Sequence, residues 1–303
     1  MSSAFAMAET ERHRSVSLQK QATARPLTIQ ELSNNQEDEV LGFLAQRSVH
    51  TVYMGGLIRD NGLVSPNNRG VFYGCRNQLG GLEGVALIGQ KTLLEASSPA
   101  AFETLGRFLP GNSVGHLVRA QQHEVDQLRE YYAAADRQPR LVRREVLLEQ
   151  FAPVPSVEPE PRLRLAGSAD LPIVVSINAC LVLEECGIDP LSKDPQGMLE
   201  RTERRINQNR VWMLTENGHT VFKADIISET PEVAFIEGVF VRREERRKGH
   251  GLRCMTQLAL NLLSRVKSIC LVVNEENSRA RSFYEKAGFN FSSHYNTAYF
   301  TPL

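Results

Sequence analysis

Apolar residues recur along the first half of the chain at spacings that predict alternating helices and strands. Two helices come first, and short apolar runs bounded by turn residues follow as strands. In order, the predicted elements are a helix from Thr28 to about Gln46, a helix from Val49 to about Asp60, strands at GVFYGCR, LEGVALIG and TLLEAS, a helix from Pro99 to Phe108, a strand at SVGHLVR, a helix from Gln121 to Ala135 and a strand at LVRREVLLE. The glycines of NQLGG are typical of a hairpin turn between the first two strands.

The second half of the chain repeats this order of elements. Asp170 is the expected N-cap of its first helix, and Gly187 is the expected end of that helix. The predicted elements are helices over DLPIVVSINACLVLEECGI and from Asp194 to Asn207, a hairpin over RVWMLTENGHTVFKADIISE, a strand at VAFIEGVFV, a helix over LRCMTQLALNLLSRV, a strand at SICLVVN, a helix over SRARSFYEKAG and a final pair of strands. The repetition predicts two modules of mixed α/β structure, each with a central mixed sheet flanked by helices, and it suggests a duplication.

Prolines and acidic residues mark the clearest boundary, in the segment APVPSVEPEPR. Its prolines exclude the interior of a helix or sheet, so a semi-extended linker is expected there. The stretch up to Pro26 is polar and aperiodic, which is typical of a mobile tail. The sequence therefore predicts a tail at 1–26, an N-terminal module at 27–151, a linker at 152–162 and a C-terminal module at 163–303.

The overall charge of the chain is balanced, with 35 Lys plus Arg and 35 Asp plus Glu among 303 residues. That balance argues against a nucleic-acid partner bound through bulk charge. No apolar stretch approaches the roughly 20 residues that a membrane helix needs, and the N-terminus lacks the apolar core of a secretory signal. A cytoplasmic protein without a membrane partner is expected.

The five cysteines are odd in number and are never spaced as Cys-x-x-Cys. This spacing predicts neither a disulfide framework nor a metal site. Cys254 follows a glycine-rich turn, but no histidine is placed in sequence to activate it as a nucleophile. Most of the cysteines are expected to be small buried residues.

Positive charge is concentrated in residues 242–251, RREERRKGHG, which we call the basic glycine turn. The turn lies between an apolar strand and an amphipathic helix. Gly249 and Gly251 would let backbone N–H groups approach an anion, and the helix start adds a partial positive charge. Arg246, Arg247 and Lys248 add full charges beside it. The segment predicts a pyrophosphate site, and the alternative is a plain basic surface turn.

Together with VNEENSRARSFYEKAGF further along, the turn resembles the signatures of the GNAT superfamily of acyl-CoA-dependent N-acyltransferases. The phosphate signature of that family is Gln or Arg, two residues, Gly, one residue, then Gly or Ala, and Arg246, Gly249 and Gly251 fill it. The residues that fill the second signature are Asn277, Ala280, Phe283, Tyr284, Gly288 and Phe289. The resemblance covers residues 162–303.

The whole chain is similar to bacterial proteins with two GNAT-like modules. The first module has no counterpart of Arg-x-x-Gly-x-Gly or of Asn…Phe-Tyr. The resemblance therefore implies a degenerate N-terminal module that does not bind the cofactor in the family's way and has a packing or substrate-shaping role.

The resemblance implies acetyl-CoA as co-substrate, with its pantetheine arm lying between the strands AFIEGVFV and SICLVVN. Backbone groups there would pair with the pantetheine amides, Gly238 would allow close approach, and one N–H would polarise the thioester carbonyl. The implied cofactor-binding residues are Val239, Phe240, Val241, Arg246, Arg247, Lys248, Gly249, His250, Gly251, Leu252, Asn277, Ala280, Phe283 and Tyr284. Asn277 has a second interpretation, as a helix N-cap.

Glu237 and Tyr284 are the implied catalytic residues. Glu237 lies within an otherwise apolar strand and could remove the proton of an attacking amine, or it could be a hydrogen-bonded strand-edge residue. Tyr284 matches the tyrosine that protonates the leaving thiolate in many members, and its alternative is packing. The acceptor would be the amine of a small molecule or peptide. Acidic residues on the helices that would roof it suit a cationic amine or are simply solvated: Glu184, Glu185, Asp189, Asp194 and Glu200.

The predicted function is N-acetyl transfer from acetyl-CoA to a primary amine by direct attack on the thioester. The alternative is a non-catalytic sensor that binds acyl-CoA. In an enzyme, Glu237 and Tyr284 would both face the thioester, whereas a sensor needs neither.

Overall fold

In the computed structural model, which describes residues 26–112, 117–187 and 189–300, the strands form one twelve-stranded sheet. The strands are β1 (Thr28–Glu31), β2 (Gly70–Arg76), β3 (Leu82–Gly89), β4 (Lys91–Ala96), β5 (Leu117–Gln121), β6 (Pro139–Gln150), β7 (Arg164–Leu165), β8 (Val211–Glu216), β9 (His219–Glu229), β10 (Val233–Val241), β11 (Ser268–Asn274) and β12 (Asn290–Phe300). Their order across the sheet is β1-β2-β3-β4-β5-β12-β6-β11-β10-β9-β8-β7.

Helices flank this sheet. They are α1 (Glu37–Leu44), α2 (Ser48–Asn61), α3 (Pro99–Asn112), α4 (Gln122–Ala134), α5 (Leu171–Cys186), α6 (Pro190–Lys193), α7 (Pro195–Asn207), α8 (His250–Leu263) and α9 (Ser278–Lys286). The predicted mixed α/β class is confirmed. Four predicted strands, β2, β3, β10 and β11, coincide with the observed ones residue for residue. Gly187 ends α5 in the left-handed conformation, as its position predicts.

Three predictions of local structure were wrong. Residues Thr28–Glu31 are a strand and not the start of a helix, because pairing with β2 outweighs their helical spacing. The C-terminal segment is the single strand β12 and not a strand pair, since it is hydrogen-bonded on both sides, to β5 and β6. The short elements β7 and α6 carry too few residues to show a period, and the pattern missed them. All but the last residue of the predicted tail at 1–26, and the start of the predicted strand SVGHLVR, residues 113–116, lie outside the described residues.

The two predicted modules exchange their last strands. β6, from the first half of the chain, lies between β11 and β12, and β12 lies between β5 and β6. The proline-rich segment between the halves has no helix or strand but packs firmly, because the fully buried carboxylate of Glu160 binds Arg162 and Arg253. The domain boundaries at residues 151 and 163 stay a prediction. The sheet itself contains strands from both halves of the chain.

Alternate residues of β10 and β11 face two different layers of core. On one face, Ile236 and Leu271 pack with Met255 and Leu258 of α8. On the other face, Phe235 and Cys270 pack with Val52 of α2 and Tyr295 of β12. The carbonyl of Val52 also accepts a buried hydrogen bond from Ser228 Oγ at 2.7 Å. A helix of the first half therefore covers the sheet of the second half, and Glu237, two residues beyond Phe235, lies on the face of α2.

Candidate active site

The parallel strands β10 and β11 are paired only where they begin. The pairs are Val233 with Ser268, Ala234 with Ile269 and Phe235 with Cys270. β10 then continues to Val241 and β11 to Asn274, so the two strands diverge over their second halves. The divergence opens a cleft between two strand edges, which we call the β10–β11 cleft. Backbone groups along such edges can pair with an extended ligand in the manner of an added strand.

A bulge in β10 lies beside this cleft. The pairing of β10 with β9 shifts between Glu237 and Phe240, and Gly238 has φ of +60°. A Cβ at Gly238 would lie 2.9 Å from Lys223 Nζ. The glycine is thus required by the backbone conformation and by the buried lysine next to it. Val239, Phe240 and Val241 follow the bulge and are half-buried along the edge, where the sequence places the pantetheine contacts.

The basic glycine turn connects β10 to α8. Gly249 is the N-cap of α8 with φ of +87°, and the first N–H groups of the helix, including those of His250, Gly251 and Leu252, have no intrahelical acceptor. Gly251 is buried, and a Cβ there would meet Val241 Cγ2 at 3.0 Å and Phe283 Cε2 at 3.1 Å. The turn therefore presents unpaired backbone donors at a helix start at the end of the cleft.

The charged side chains of the turn are mostly exposed, including Arg246, Arg247 and Lys248. Arg246 Nε donates to the carbonyl of Val241 at 3.0 Å, which ties the turn to the end of β10. Lys248 pairs with Glu245 at 2.9 Å, and His250 Nε2 lies 3.6 Å from the same carboxylate. Part of the positive charge is thus neutralised locally, and Arg246 and Arg247 are left as the outward-facing cations nearest the helix start.

Helix α9 borders the cleft with the second predicted signature. Asn277 Oδ1 accepts from the N–H of Ala280 at 3.0 Å, so Asn277 is a helix N-cap in this structure. Phe283 and Tyr284 pack on the core of α8 and β11, and the Tyr284 ring is 5.8 Å from that of Phe289. Burial, and then the charge of Glu185, raise the pKa of the Tyr284 hydroxyl well above its usual range. The hydroxyl therefore stays protonated at neutral pH.

Glu237 has an ionic partner from the first half of the chain. Arg119 Nη1 of β5 lies 3.3 Å from Glu237 Oε1. The same guanidinium donates to Thr297 Oγ1 at 2.8 Å and lies 3.3 Å from Glu145 Oε2. Thr297 Oγ1 in turn donates to Glu145 Oε2 at 2.6 Å. Strands β5, β12, β6 and β10 thus each contribute one side chain to a connected polar network.

The charges around Glu237 decide its protonation state. Burial acts to raise the pKa of Glu237, but the positive charges of Lys91, Arg119 and Arg205 lower it below the usual glutamate value. Its side chain keeps 32% of its surface accessible. Burial, and then the charge of Glu237, raise the pKa of Glu185 at the end of α5. Glu237 is therefore an ionised, accessible carboxylate, and the side chain of Glu185 lies close enough to be affected by its charge.

The predicted acidic roof divides into two groups. Asp189 and Asp194 are helix caps, since Asp189 Oδ1 accepts from the N–H of Leu191 at 2.9 Å and Asp194 Oδ1 from that of Gly197 at 2.9 Å. Glu200 accepts from Gln196 at 2.8 Å one turn away. Glu185 interacts electrostatically with both Tyr284 and Glu237. The solvated-face interpretation thus holds for most of this surface.

Pattern analysis missed the polar partners of Glu237. Arg119, Glu145 and Thr297 were passed over because each lies in a strand assigned to packing or to the other module. The signal that singled out Glu237, a charge inside an apolar strand, was also present at Arg119 in LVRAQ and at Lys223 in TVFKADII.

The structure also bears on three other predictions, which concern Cys254, metal sites and membrane helices. Burial, and then Glu160, raise the pKa of the Cys254 thiol to about 12, which opposes thiolate chemistry. Among the residues that the structure describes, no group of three or more His, Cys, Asp or Glu could hold a metal ion. No helix in the described ranges is long and apolar enough to span a membrane. The expected cytoplasmic location stays a prediction.

Comparison with known proteins agrees with this geometry. The family model described as FR47-like protein matches residues 220–298, which include the bulge, the turn and α9. No curated protein matched the chain. A solved structure of a Drosophila protein superposes with a TM-score of 0.66 at 11% identity, over 90% of this chain and 98% of that one.

Two further structures are titled as acetyltransferases or GNAT proteins. A GCN5-related N-acetyltransferase from Sphaerobacter thermophilus superposes with a TM-score of 0.57 at 16% identity, over 89% of this chain and 94% of that one. A tandem GNAT protein from the clavulanic acid biosynthesis pathway gives 0.57 at 12% identity, over 90% and 98%. Identities this low establish the fold alone. This chain therefore has the GNAT fold, and it carries an FR47-like sequence pattern over the residues that surround the β10–β11 cleft.

Proposed function

We propose that this protein is an N-acetyltransferase that moves the acetyl group of acetyl-CoA to an amine. The observation that carries the proposal is the divergence of β10 from β11 after three paired positions, with the basic glycine turn following directly on β10. An open pair of strand edges suits the amides of pantetheine, and a helix start with free N–H groups suits a pyrophosphate. Glu237 and Tyr284, the proposed catalytic residues, both interact electrostatically with Glu185, which supports a common location for them.

Acetyl-CoA would be held mainly by backbone groups. The N–H groups of His250, Gly251 and Leu252 would bind the pyrophosphate, with Arg246 and Arg247 adding charge. Residues Val239–Val241 would pair with the pantetheine, and Phe283 with Ala280 would pack along it. Asn277 would contribute by capping α9 and fixing the corner between β11 and that helix.

The proposed reaction is a direct acyl transfer. The amine nitrogen forms a bond to the thioester carbon, and its proton passes to the carboxylate of Glu237, directly or through water. The carbon–sulfur bond then breaks, and the thiolate receives a proton from the Tyr284 hydroxyl, which solvent restores. The raised pKa of Tyr284 keeps this donor protonated. It also makes the hydroxyl a weaker acid, so hydrogen bonding to the sulfur precedes transfer of the proton.

The first half of the chain would complete the site. Arg119 contacts Glu237 at 3.3 Å and is itself held by Glu145 and Thr297, so it orients the proposed base and keeps it ionised. Through this contact the N-terminal module would have a role in shaping the site, although its own sequence lacks the cofactor signatures. The ionised carboxylate of Glu237 favours a cationic amine as the acceptor, which loses one proton to water before its nitrogen attacks the thioester.

The test is a screen of small-molecule and peptide amines with the full chain, measured by release of free CoA thiol. Turnover of at least one amine, with formation of an N-acetyl product by mass spectrometry, is expected. Binding of acetyl-CoA without turnover of any amine would contradict the enzymatic proposal and favour the sensor. Absence of acetyl-CoA binding by calorimetry would contradict both.

A further inference from the structure

A buried lysine lies directly behind the bulge of β10. Lys223 on β9 is fully buried, which is rare for a lysine and costly unless the charge is paired. Its Nζ lies 2.7 Å from Asp225 Oδ1, donates to Asn178 Oδ1, and donates to the carbonyl of Gly238 at 3.3 Å. Asn178 Oδ1 and the Gly238 carbonyl accept two of the three N–H bonds of the ammonium group, and the Asp225 carboxylate balances its charge.

Asp225 has partners other than Lys223, and these do not involve the bulge. Asp225 Oδ2 accepts from Arg205 at 2.8 Å and from Asn178 at 3.2 Å. An ion pair between Asp225 and Arg205 would thus satisfy the buried carboxylate in part even if residue 223 were apolar. Lys223 also donates a hydrogen bond to the Gly238 carbonyl. Gly238 lies in the register shift between β9 and β10 and is not paired with a residue of β9.

The geometry of one peptide unit connects this donor to the cleft. In a trans peptide the carbonyl oxygen and the next N–H point in opposite directions. When the Gly238 carbonyl is directed towards Lys223, the N–H of Val239 is directed away from it. β9 lies on one side of β10, and the β10–β11 cleft lies on the other.

From this arrangement we infer that Lys223 is a positioning residue, which holds the Gly238–Val239 peptide so that the Val239 N–H faces the cleft and hydrogen-bonds the thioester carbonyl oxygen. The inference rests on the proposed function for the nature of the ligand. Charge develops on that oxygen as the amine attacks, and a fixed donor stabilises it. Burial lowers the pKa of Lys223 and the Asp225 carboxylate opposes that effect, but an amino group donates to the carbonyl in either protonation state.

Gly238 fits the same assignment. Its φ of +60° turns the peptide out of the regular ladder, and any Cβ would collide with the Lys223 ammonium at 2.9 Å. The bulge, Gly238 and Lys223 therefore act together. The Lys223 side chain donates the hydrogen bond that a backbone N–H would donate to this carbonyl in a regular strand pair.

The first test uses the parent chain labelled with [¹⁵N]valine. Binding of acetyl-CoA should move the Val239 amide proton downfield, whereas CoA, which has no thioester carbonyl, should not. The Val239 resonance is assigned by loss of its signal in Val239→Ile. An equal response to both ligands, or no response to either once binding is saturated, would overturn the inference.

The second test compares Lys223→Met with Arg205→Met. Both substitutions remove one cation from Asp225, but no hydrogen bond or ion pair in the described structure joins Arg205 to Gly238. Lys223→Met should abolish the selective Val239 shift and lower kcat about 10-fold or more, with little change in the affinity for CoA. Arg205→Met should keep the shift. A purely structural lysine predicts that both variants lose stability alike and that both keep the shift.

A third variant allows the test to be carried out even if Lys223→Met misfolds. If Lys223→Met does not fold, Lys223→Met with Asp225→Asn removes the uncompensated carboxylate and is measured in the same way. The inference and the proposed function fail separately. Turnover in the parent without a selective Val239 shift overturns the inference alone, whereas a selective shift without turnover of any amine supports the inference and contradicts the enzymatic proposal.

Discussion

Two pairs of parallel strands diverge in the described structure, β4–β5 in the first half and β10–β11 in the second. Comparing them shows which features belong to the backbone geometry and which to the binding chemistry. Within the described residues, which leave out 113–116, β4 and β5 pair at Lys91 with Leu117 and at Thr92 with Val118, and β10 and β11 pair over their first three positions. When the first paired residues are aligned, Glu95 of KTLLEA corresponds to Glu237 of VAFIEG. Both halves thus have a diverging strand pair with a glutamate after the last paired residues, which supports the duplication that the element order suggests.

The glutamates differ in what surrounds them. The Glu95 side chain is 6% accessible and is bound by Arg47 at 2.8 Å, whereas the Glu237 side chain is 32% accessible. Burial raises the pKa of Glu95, despite the opposing charge of Arg47. The pKa of Glu237 is lowered by its cationic neighbours. The cavity beside Glu95 measures about 60 Å³, which leaves room for a few atoms only.

The strand ends differ more. β10 continues past its glutamate into the bulge and the basic glycine turn, whereas β4 ends at Ala96. The next helix of the first half begins with a proline, is capped by Ser98 Oγ, and has the carboxylate of Glu83 within 3.0 Å of that hydroxyl. A proline supplies no N–H, and a carboxylate repels phosphate. The first half thus has diverging parallel strands, but its helix start is unsuited to an anion. We propose that this half does not bind acetyl-CoA in the family's way.

The largest expected effect concerns the turn. Gly249→Val should weaken binding of CoA at least about 100-fold, because a branched side chain at φ of +87° distorts the helix start and blocks approach of the phosphates. Calorimetry with the full chain measures the affinity. Gly80→Val is the matched control, since Gly80 has φ of +83° and open space around it but lies in the β2–β3 hairpin. If both variants bind CoA equally well, the turn is only a basic surface turn.

The next effect concerns the proposed acid. Tyr284→Phe keeps the ring and its packing against Phe289, and kcat should fall on the order of 10²-fold with little change in the KM for acetyl-CoA. Steady-state rates with an acceptor from the amine screen provide the measurement. Tyr131→Phe, in the corresponding helix of the first half, serves as the control. Turnover of Tyr284→Phe at the parent rate would assign Tyr284 to packing.

A smaller effect connects the two halves. Arg119→Met removes one of the cations that lower the pKa of Glu237, so that pKa should rise. Activity requires the ionised carboxylate and is lost as pH falls through its pKa. The acid limb of the kcat/KM profile should therefore move to higher pH, while Arg107→Met, at an exposed helical pair, should leave it in place. An unmoved limb would mean that another group is the base.

The smallest expected effect concerns the stability of the first half. His50 lines the same cavity as Glu95, beside the diverging strands β4 and β5. Burial, and then Arg47, lower the pKa of His50 to about 4, and His50 Nδ1 lies 2.7 Å from the Tyr295 hydroxyl. A histidine that is harder to protonate when folded gives stability that is complete above its unfolded pKa of about 6.5 and is lost as pH falls towards 4.

His50→Gln should therefore flatten the decline of the free energy of unfolding between these pH values, by about 1–2 kcal/mol. Urea titrations at several pH values measure this difference. His123→Gln, at an exposed position of α4, should keep the decline of the parent. An identical decline in His50→Gln would mean that other groups cause the acid sensitivity.

Most of the local structure could be predicted from sequence, and the candidate site only in part. The strands GVFYGCR and VAFIEGVFV were bounded correctly because apolar runs between turn residues encode strands locally. The glycine turn and Tyr284 were found because their signatures are short and contiguous. Thr28–Glu31 was missed because pairing with β2, some 40 residues on, decides its conformation.

The sequence by itself determined which segments are helices and strands, where the basic glycine turn lies, and that α9 follows a buried strand. Spacing and turn chemistry act over a few residues, so a single chain displays them directly. Only the tertiary structure decided that β6 and β12 exchange places, that Arg119 reaches Glu237 across 118 residues of sequence, and that Lys223 lies beneath Gly238. Those contacts depend on the order and twist of twelve strands in one sheet, and no local pattern in the chain specifies that order.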